Sequence, residues 1–187
     1  DDGSSTRRFT VTKDFRIERV VPPSATGSLI AMTFNEWGEI IAAREQGPIL
    51  LVVDSNKDTV PDKVTEYCTE VTSCQGLLAL NGMVYAIGVG PEGGALYRIA
   101  DENQDGKGDN IKALVKFDGK FGEHGPHGLA LGPDGLIYLM IGNHAQAKGI
   151  AERGNPYRNY YEGDLITPKY EDPGGHAVGV KAPGGTV

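Results

Sequence analysis

The chain has 187 residues, with 27 glycines and 11 prolines along its whole length and a formal charge of −7 at neutral pH. Its 18 Lys and Arg residues are scattered, which excludes the concentrated basic face that a nucleic acid partner needs, and no run of about 18 apolar residues exists to form a membrane-spanning helix. So many Gly and Pro residues break a chain into short strands and tight turns and weaken helix interiors. Residues 1–20 begin with the polar run DDGSSTRR, which reads as the frayed start of a processed chain, and continue as a lead-in strand.

Residues 21–142 carry an internal repeat. One unit is a hairpin in which an apolar strand meets a Gly-containing turn and a second β-rich strand: SLIAMTF-NEWG-EIIAA, then QGLLAL-NG-MVYAIG, then HGLALG-PDG-LIYLMIG. The turn glycines are Gly38, Gly82 and Gly135, 44 and then 53 residues apart; NG and PDG are strong turn signals because Asn and Gly tolerate positive φ and Pro presets the bend. A second unit interleaves, an apolar strand ending in an Asp-rich loop: GPILLVVDSNKDTVPDKV and GALYRIADENQDGKGDNI, with Asp54 and Asp101 47 residues apart. Each repeat thus holds four short strands in roughly 40–50 residues, the size of a propeller blade. No segment sustains a 3.6-residue apolar period, so helices are few and short. The expected fold is all-β, a partial β-propeller of about three four-stranded blades, followed from residue 143 to 187 by a long Gly-, Pro- and Tyr-rich loop that leads toward a further blade. Three blades do not close a ring, so the remaining blades are expected from the same or another chain.

The two cysteines, Cys68 and Cys74, lie six apart in YCTEVTSCQG. A disulfide there pins a short loop and fits an oxidising, exported compartment; the alternative is two reduced, partly buried thiols.

The segment richest in chemistry runs EHGPHGLALGPDGLIYLMIGNH, from Glu123 to His144. It resembles the region of soluble quinone-dependent glucose and aldose sugar dehydrogenases in which an acidic residue and a histidine precede a GRLxxGPDxxxY strand pair. The resemblance implies a six-bladed ring and places the catalytic base on His124, with Glu123 as its acidic neighbour and His127 as the competing candidate. A neutral imidazole suits the task, since a sugar hydroxyl must lose its proton as hydride leaves the same carbon; rim histidines that only hydrogen-bond a turn are the alternative. It also implies pyrroloquinoline quinone (PQQ) and Ca²⁺ as cofactors, with Gln75 and His144 as candidate quinone-binding residues. The family's Gln stands two residues before GLL, where this chain has Cys74, so Gln75 is offset by one position and a regular strand turns it to the other face. The family's strand-opening Gly-Arg is Gly128-Leu129 here, and its basic residues and calcium ligands come from later blades, with Arg158-Asn159 only an echo of them.

A wider resemblance rests on the DxNxD loops, EHGPHGLALGPDG, YRNYYEGDL and EDPGGHAVGVKAPGG. Together they are similar to large proteins grouped as membrane-bound dehydrogenases of planctomycete-type bacteria, in which an N-terminal propeller precedes helical repeats and a c-type haem domain. This implies a periplasmic or otherwise exported protein, membrane-associated through another part, with haem held only in a separate domain or a cytochrome c partner.

Asp101, Asn103, Asp105 and Asp109 stand at positions 1, 3, 5 and 9 of DENQDGKGD, with Gly106 at the bend, and Asp54, Asn56, Asp58 and Asp62 repeat the spacing with Thr59 in place of the glycine. Alternate oxygen-bearing side chains on a tight loop are candidate Ca²⁺ ligands, although Lys112 and Thr65 occupy the twelfth positions where an EF-hand has its Glu; Asx turns that stop a strand use the same residues. The functional expectation is a sugar or alcohol oxidoreductase with His124 as general base; the alternative is a non-catalytic propeller that binds or scaffolds within a larger haem-containing protein.

Overall fold

In a computed structural model of the protein, residues 10–148 of the chain are described. Alternating and β-branched sequence produces strands wherever a Gly turn lets the chain reverse. The first sheet is a meander of β1 (Leu29–Phe34), β2 (Ile40–Arg44), β3 (Ile49–Val53) and β4 (Lys63–Cys68), each antiparallel to the next. The second contains β5 (Thr72–Leu80), β6 (Met83–Gly90), β7 (Gly93–Ala100) and β8 (Asn110–Gly119), and the third is the hairpin of β9 (Pro126–Leu131) and β10 (Ile137–Ile141). A fifth strand, β11 (Ala145–Ala147), leaves the third sheet and pairs with β8 at the outer edge of the second. The one helical turn among the described residues, α1 (Pro23–Thr26), is held by Arg44, whose Nε and Nη2 donate to the carbonyls of Thr26 and Ala25 at 2.7 and 3.2 Å.

The three turn glycines are equivalent in the structure. Gly38, Gly82 and Gly135 have φ of 80°, 71° and 79° with open space where a Cβ would stand, so the constraint is backbone conformation and not crowding. Before each turn the first strands of successive sheets neighbour one another, β1 against β5 and β5 against β9. That arrangement of inner strands about one line, with each meander running outward, is the partial propeller the repeat predicts.

Two apolar interfaces hold the sheets together. Between the first and second lie Ile41, Ile49, Leu51, Leu77, Tyr97 and Ile99, and between the second and third lie Ile87, Leu96, Phe117, Ile141 and Ala145. The second sheet is therefore buried on both faces, and its strands read as near-continuous apolar runs: along β6, Val84 and Ala86 face one interface and Tyr85 and Ile87 the other.

Three expectations are corrected. Residues 10–20 form no strand: Phe15 and Ile17 alternate with Arg16 and Glu18 as a strand would, but the segment pairs with no sheet edge and Phe15 remains 73% exposed. Residues 145–147, expected within a loop, are β11, so the second sheet has five strands and the third has two among the described residues. The expected disulfide is not formed. Cys68 and Cys74 are both free thiols, 3% and 0% exposed, and both belong to the first interface; Cys74 Sγ instead approaches the Val71 carbonyl oxygen at 3.8 Å. The expected loop beyond residue 148, with Arg158 and Asn159, lies outside the described residues.

Burial raises the Cys68 thiol and pushes Cys74 from 9.0 up to about 12, and burial followed by the charge of Asp101 pushes the Tyr67 phenol from 10.0 up to about 12. Because these folded-state values lie above the unfolded ones, the stability contributed is complete below about pH 9 and lost as pH rises toward 12. Urea midpoints measured under reducing conditions should fall across that window, and Cys74→Ala should flatten the fall where it begins, near pH 9.

Candidate functional site

The chain leaves β8 at Gly119, crosses residues 120–125 and enters β9; residues 142–144 then link β10 to β11. These two loops are knitted together by main-chain bonds. Lys120 N donates to His144 O at 3.2 Å, His144 N to His124 O at 3.0 Å and Gly142 N to Gly125 O at 2.8 Å. Such closeness leaves no room for side chains at two joints: a Cβ on Gly142 would collide with the His124 carbonyl, and one on Gly119 with that of His144.

The approach of β9 to β5 depends on glycine as well, since a Cβ at Gly76 would collide with the His127 carbonyl oxygen. Both strands are irregular here. Between Thr72 and Gly76, β5 advances four residues against two on β6, with Ser73 at φ 52°. Between Leu129 and Pro126, β9 advances three against two on β10, which puts a bulge at His127 and Gly128. Bulges re-aim side chains beside sites.

The side chains follow from this frame. His124 Nδ1 lies 2.9 Å from Asn143 Oδ1; an amide oxygen only accepts, so this contact favours the tautomer of the neutral ring with its proton on Nδ1. His144 packs on the same ring, with centroids 4.6 Å apart and planes inclined by 35°. His127 Nε2 meets the Glu123 main-chain carbonyl at 2.8 Å, which ties that imidazole to the loop. A cavity of ≈ 160 Å³ is lined by Lys120, Phe121, Glu123, His124 and His144, and an adjoining one of ≈ 520 Å³ by Asp118, Lys120, Asn143, His144 and Gln146.

Of the expected site residues, the structure brings together Glu123, His124 and His144. Gln75 is half-buried beside Gly76 and lines neither cavity. Asn143 and Lys120 were missed. The signal for Asn143 was its place next to His144 at the exit of an apolar strand, where polar side chains commonly turn toward a rim.

The Asp-rich loops lie at the other end of the sheets. The Phe121 ring crowds Gly94 at the start of β7, whereas Asp101 follows its end, a separation of roughly 23 Å at about 3.3 Å per residue. The two loops share one hydrogen-bond pattern. Asp54 Oδ2 accepts from Thr59 N at 2.7 Å as Asp101 Oδ2 does from Gly106 N at 2.8 Å; Asn56 and Asn103 accept from Asp58 N and Asp105 N; Asp58 and Asp105 accept from Val60 N and Lys107 N. Thr59 adopts φ 78° where Gly106 has 85°. Asp62 accepts from Ser55 N and Oγ at 2.8 and 3.0 Å, and the Ser55 main-chain donor holds its carboxyl below the ordinary range. These oxygens serve backbone N–H groups as Asx turns do. Among the described residues no group of three or more His, Cys, Asp or Glu converges to hold a metal ion, and Asp109 joins no such group.

Gly142→Ala should destabilise the protein by about 1–3 kcal/mol through overpacking and displace the His124 ring resonances in an NMR spectrum. Gly135→Ala, in open space, should disturb only the remote turn. Equal effects of the two on His124 would contradict the knitted-loop geometry.

No curated protein and no solved structure matches the chain. The model of a family described as a domain of unknown function, DUF7133, matches residues 2–165, and the chain belongs to that family.

Proposed function

We propose that this chain is part of a propeller that oxidises a sugar or an alcohol, and that His124 takes the proton of the substrate hydroxyl. The observation that carries the proposal is the bond between His124 Nδ1 and Asn143 Oδ1. It favours the ring form whose Nε2 accepts a proton, and the packed His144 ring restricts its rotation. A general base placed in this way accelerates proton removal by roughly 10²–10⁴-fold. Asn143 is a positioning residue in this scheme, and Lys120 and Glu123 border the small cavity on which His124 stands.

PQQ, when bound, supplies a two-electron acceptor for the substrate's hydride. It is a polyanion that needs several cations around it, and of the described residues lining the two cavities only Lys120 is a Lys or Arg, with Asp118 and Glu123 adding negative charge. The described residues therefore do not fit a complete quinone site, and no step through the quinone is derived from them. In our reading its basic partners come from further blades, supplied by the same or another chain. Tyr138 and Met140, which share one face of β10 and are 43% and 56% exposed, mark the face that the next sheet of a ring covers.

A c-type cytochrome domain or partner would take the electrons onward. No helix among the described residues is long and apolar enough to cross a membrane, and with both thiols free the exported, periplasmic placement rests on the family resemblance.

The test is dye reduction by the intact protein with PQQ and calcium over a panel of sugars and alcohols. His124→Ala should lower kcat by about 10²–10⁴-fold, Asn143→Ala should lower it less and distort the pH profile, and His127→Ala should stay near the parent. Absence of turnover with every substrate, or turnover that survives His124→Ala, would overturn the proposal.

A further inference from the structure

A recess between the first two sheets lies away from His124, at the end where the β1–β2 and β5–β6 turns meet the loop after β7. It has a volume of ≈ 370 Å³, with Glu36, Trp37, Glu39, Tyr67, Asp101 and Gln104 among its lining residues. Its rim is built rigidly. Asn35 Oδ1 accepts from Trp37 N and Glu39 N at 3.1 and 2.9 Å, Asn35 N donates to Glu39 O at 3.0 Å, and Asn35 Nδ2 donates to Glu39 Oε2 at 2.7 Å. Glu36 Oε1 accepts from Gly82 N at 2.9 Å and so ties the turn of the first sheet to that of the second.

Two features of this recess go unexplained by folding. Trp37 is 71% exposed, although it sits in a turn held by hydrogen bonds, and no apolar neighbour among the described residues covers most of its ring. The described lining carries three carboxylates, Glu36, Glu39 and Asp101, and no Lys or Arg. Asp101 spends both oxygens on the N–H groups of Asp105 and Gly106, whereas Glu36 and Glu39 each keep one oxygen outside the bonds described above. The negative field reaches the buried floor, where the charge of Asp101 adds to burial in raising the Tyr67 phenol.

We infer that this recess binds an organic cation, an amine or guanidinium carried on an apolar body, with its flat or methylene portion against the Trp37 ring and its charge between Glu36 and Glu39. An aromatic face and carboxylates favour the same ligand, since the ring's quadrupole attracts a cation that the acids also hold. A neutral saccharide would use the ring but leave the concentrated charge without a partner.

Trp37 is the only tryptophan of the chain, so its fluorescence reports on the recess directly. Titration of the protein with arginine methyl ester or tetramethylammonium should give a saturable change, and methyl glucoside and succinate should give none. Affinity should fall as salt rises and by about five-fold in each of Glu36→Gln and Glu39→Gln, the loss expected for one exposed charge pair. Both variants keep an oxygen for the Gly82 and Asn35 donors, and the salt dependence of the parent protein needs no variant. No saturable response to either cation would overturn the inference. A response to methyl glucoside equal to that of the cations, which marks a saccharide site, or cation affinities unchanged by salt and by both substitutions, would overturn it as well.

Discussion

Burial of both faces of the β5–β8 meander is the interaction on which the rest of the structure depends. A sheet with one wet face needs one neighbour, but this one needs two. The first sheet covers Val84, Ala86, Ala95, Tyr97 and Ile99, and the β9–β10 hairpin with the loop before it covers Ile87, Leu96 and Phe117. At about 25 cal/mol per Å² of apolar surface, these two interfaces are the main favourable term holding the sheets together, and they fix where the connecting loops lie.

The His124 loop inherits its position from that packing. It can dock because Gly76 admits the His127 carbonyl, Gly94 admits the Phe121 ring, and Gly119 and Gly142 admit the neighbouring main chain. Absent side chains thus place the imidazole, and Asn143 Oδ1 then stands 2.9 Å from its Nδ1. The acidic loops and the Trp37 recess occupy the other end of the same sheets, so the chain presents His124 and His144 at one end and a carboxylate-lined recess at the other.

Much of the fold was legible in the sequence because its signals are local. The turns at Gly38, Gly82 and Gly135 announce themselves by residue type, and the period between them gives the blade. The lead-in segment misled because alternation around Phe15 and Ile17 looks the same whether or not a partner edge exists, and β11 was hidden because its pairing with β8 is a long-range contact. The cysteines misled for a similar reason, since spacing does not show that both thiols are needed as apolar filling. At the site, His124 and His144 were visible as residue types beside strand ends. Asn143 as the partner of His124 was not, because it arrives from 19 residues away through main-chain joints that no motif records. In the Asp-rich loops the sequence offers two chemistries for the same residues, because a cation cage and an Asx turn call on the same side-chain oxygens.

The central claim is that Asn143 holds His124 with its proton on Nδ1. Nitrogen-15 NMR of the imidazole ring at a pH where it is neutral tests this most directly, because the two ring nitrogens have distinct shifts and coupling patterns in each tautomer. The expected result is a protonated Nδ1 and an unprotonated Nε2, reversed or averaged in Asn143→Ala. A proton on Nε2 in the parent protein would contradict it.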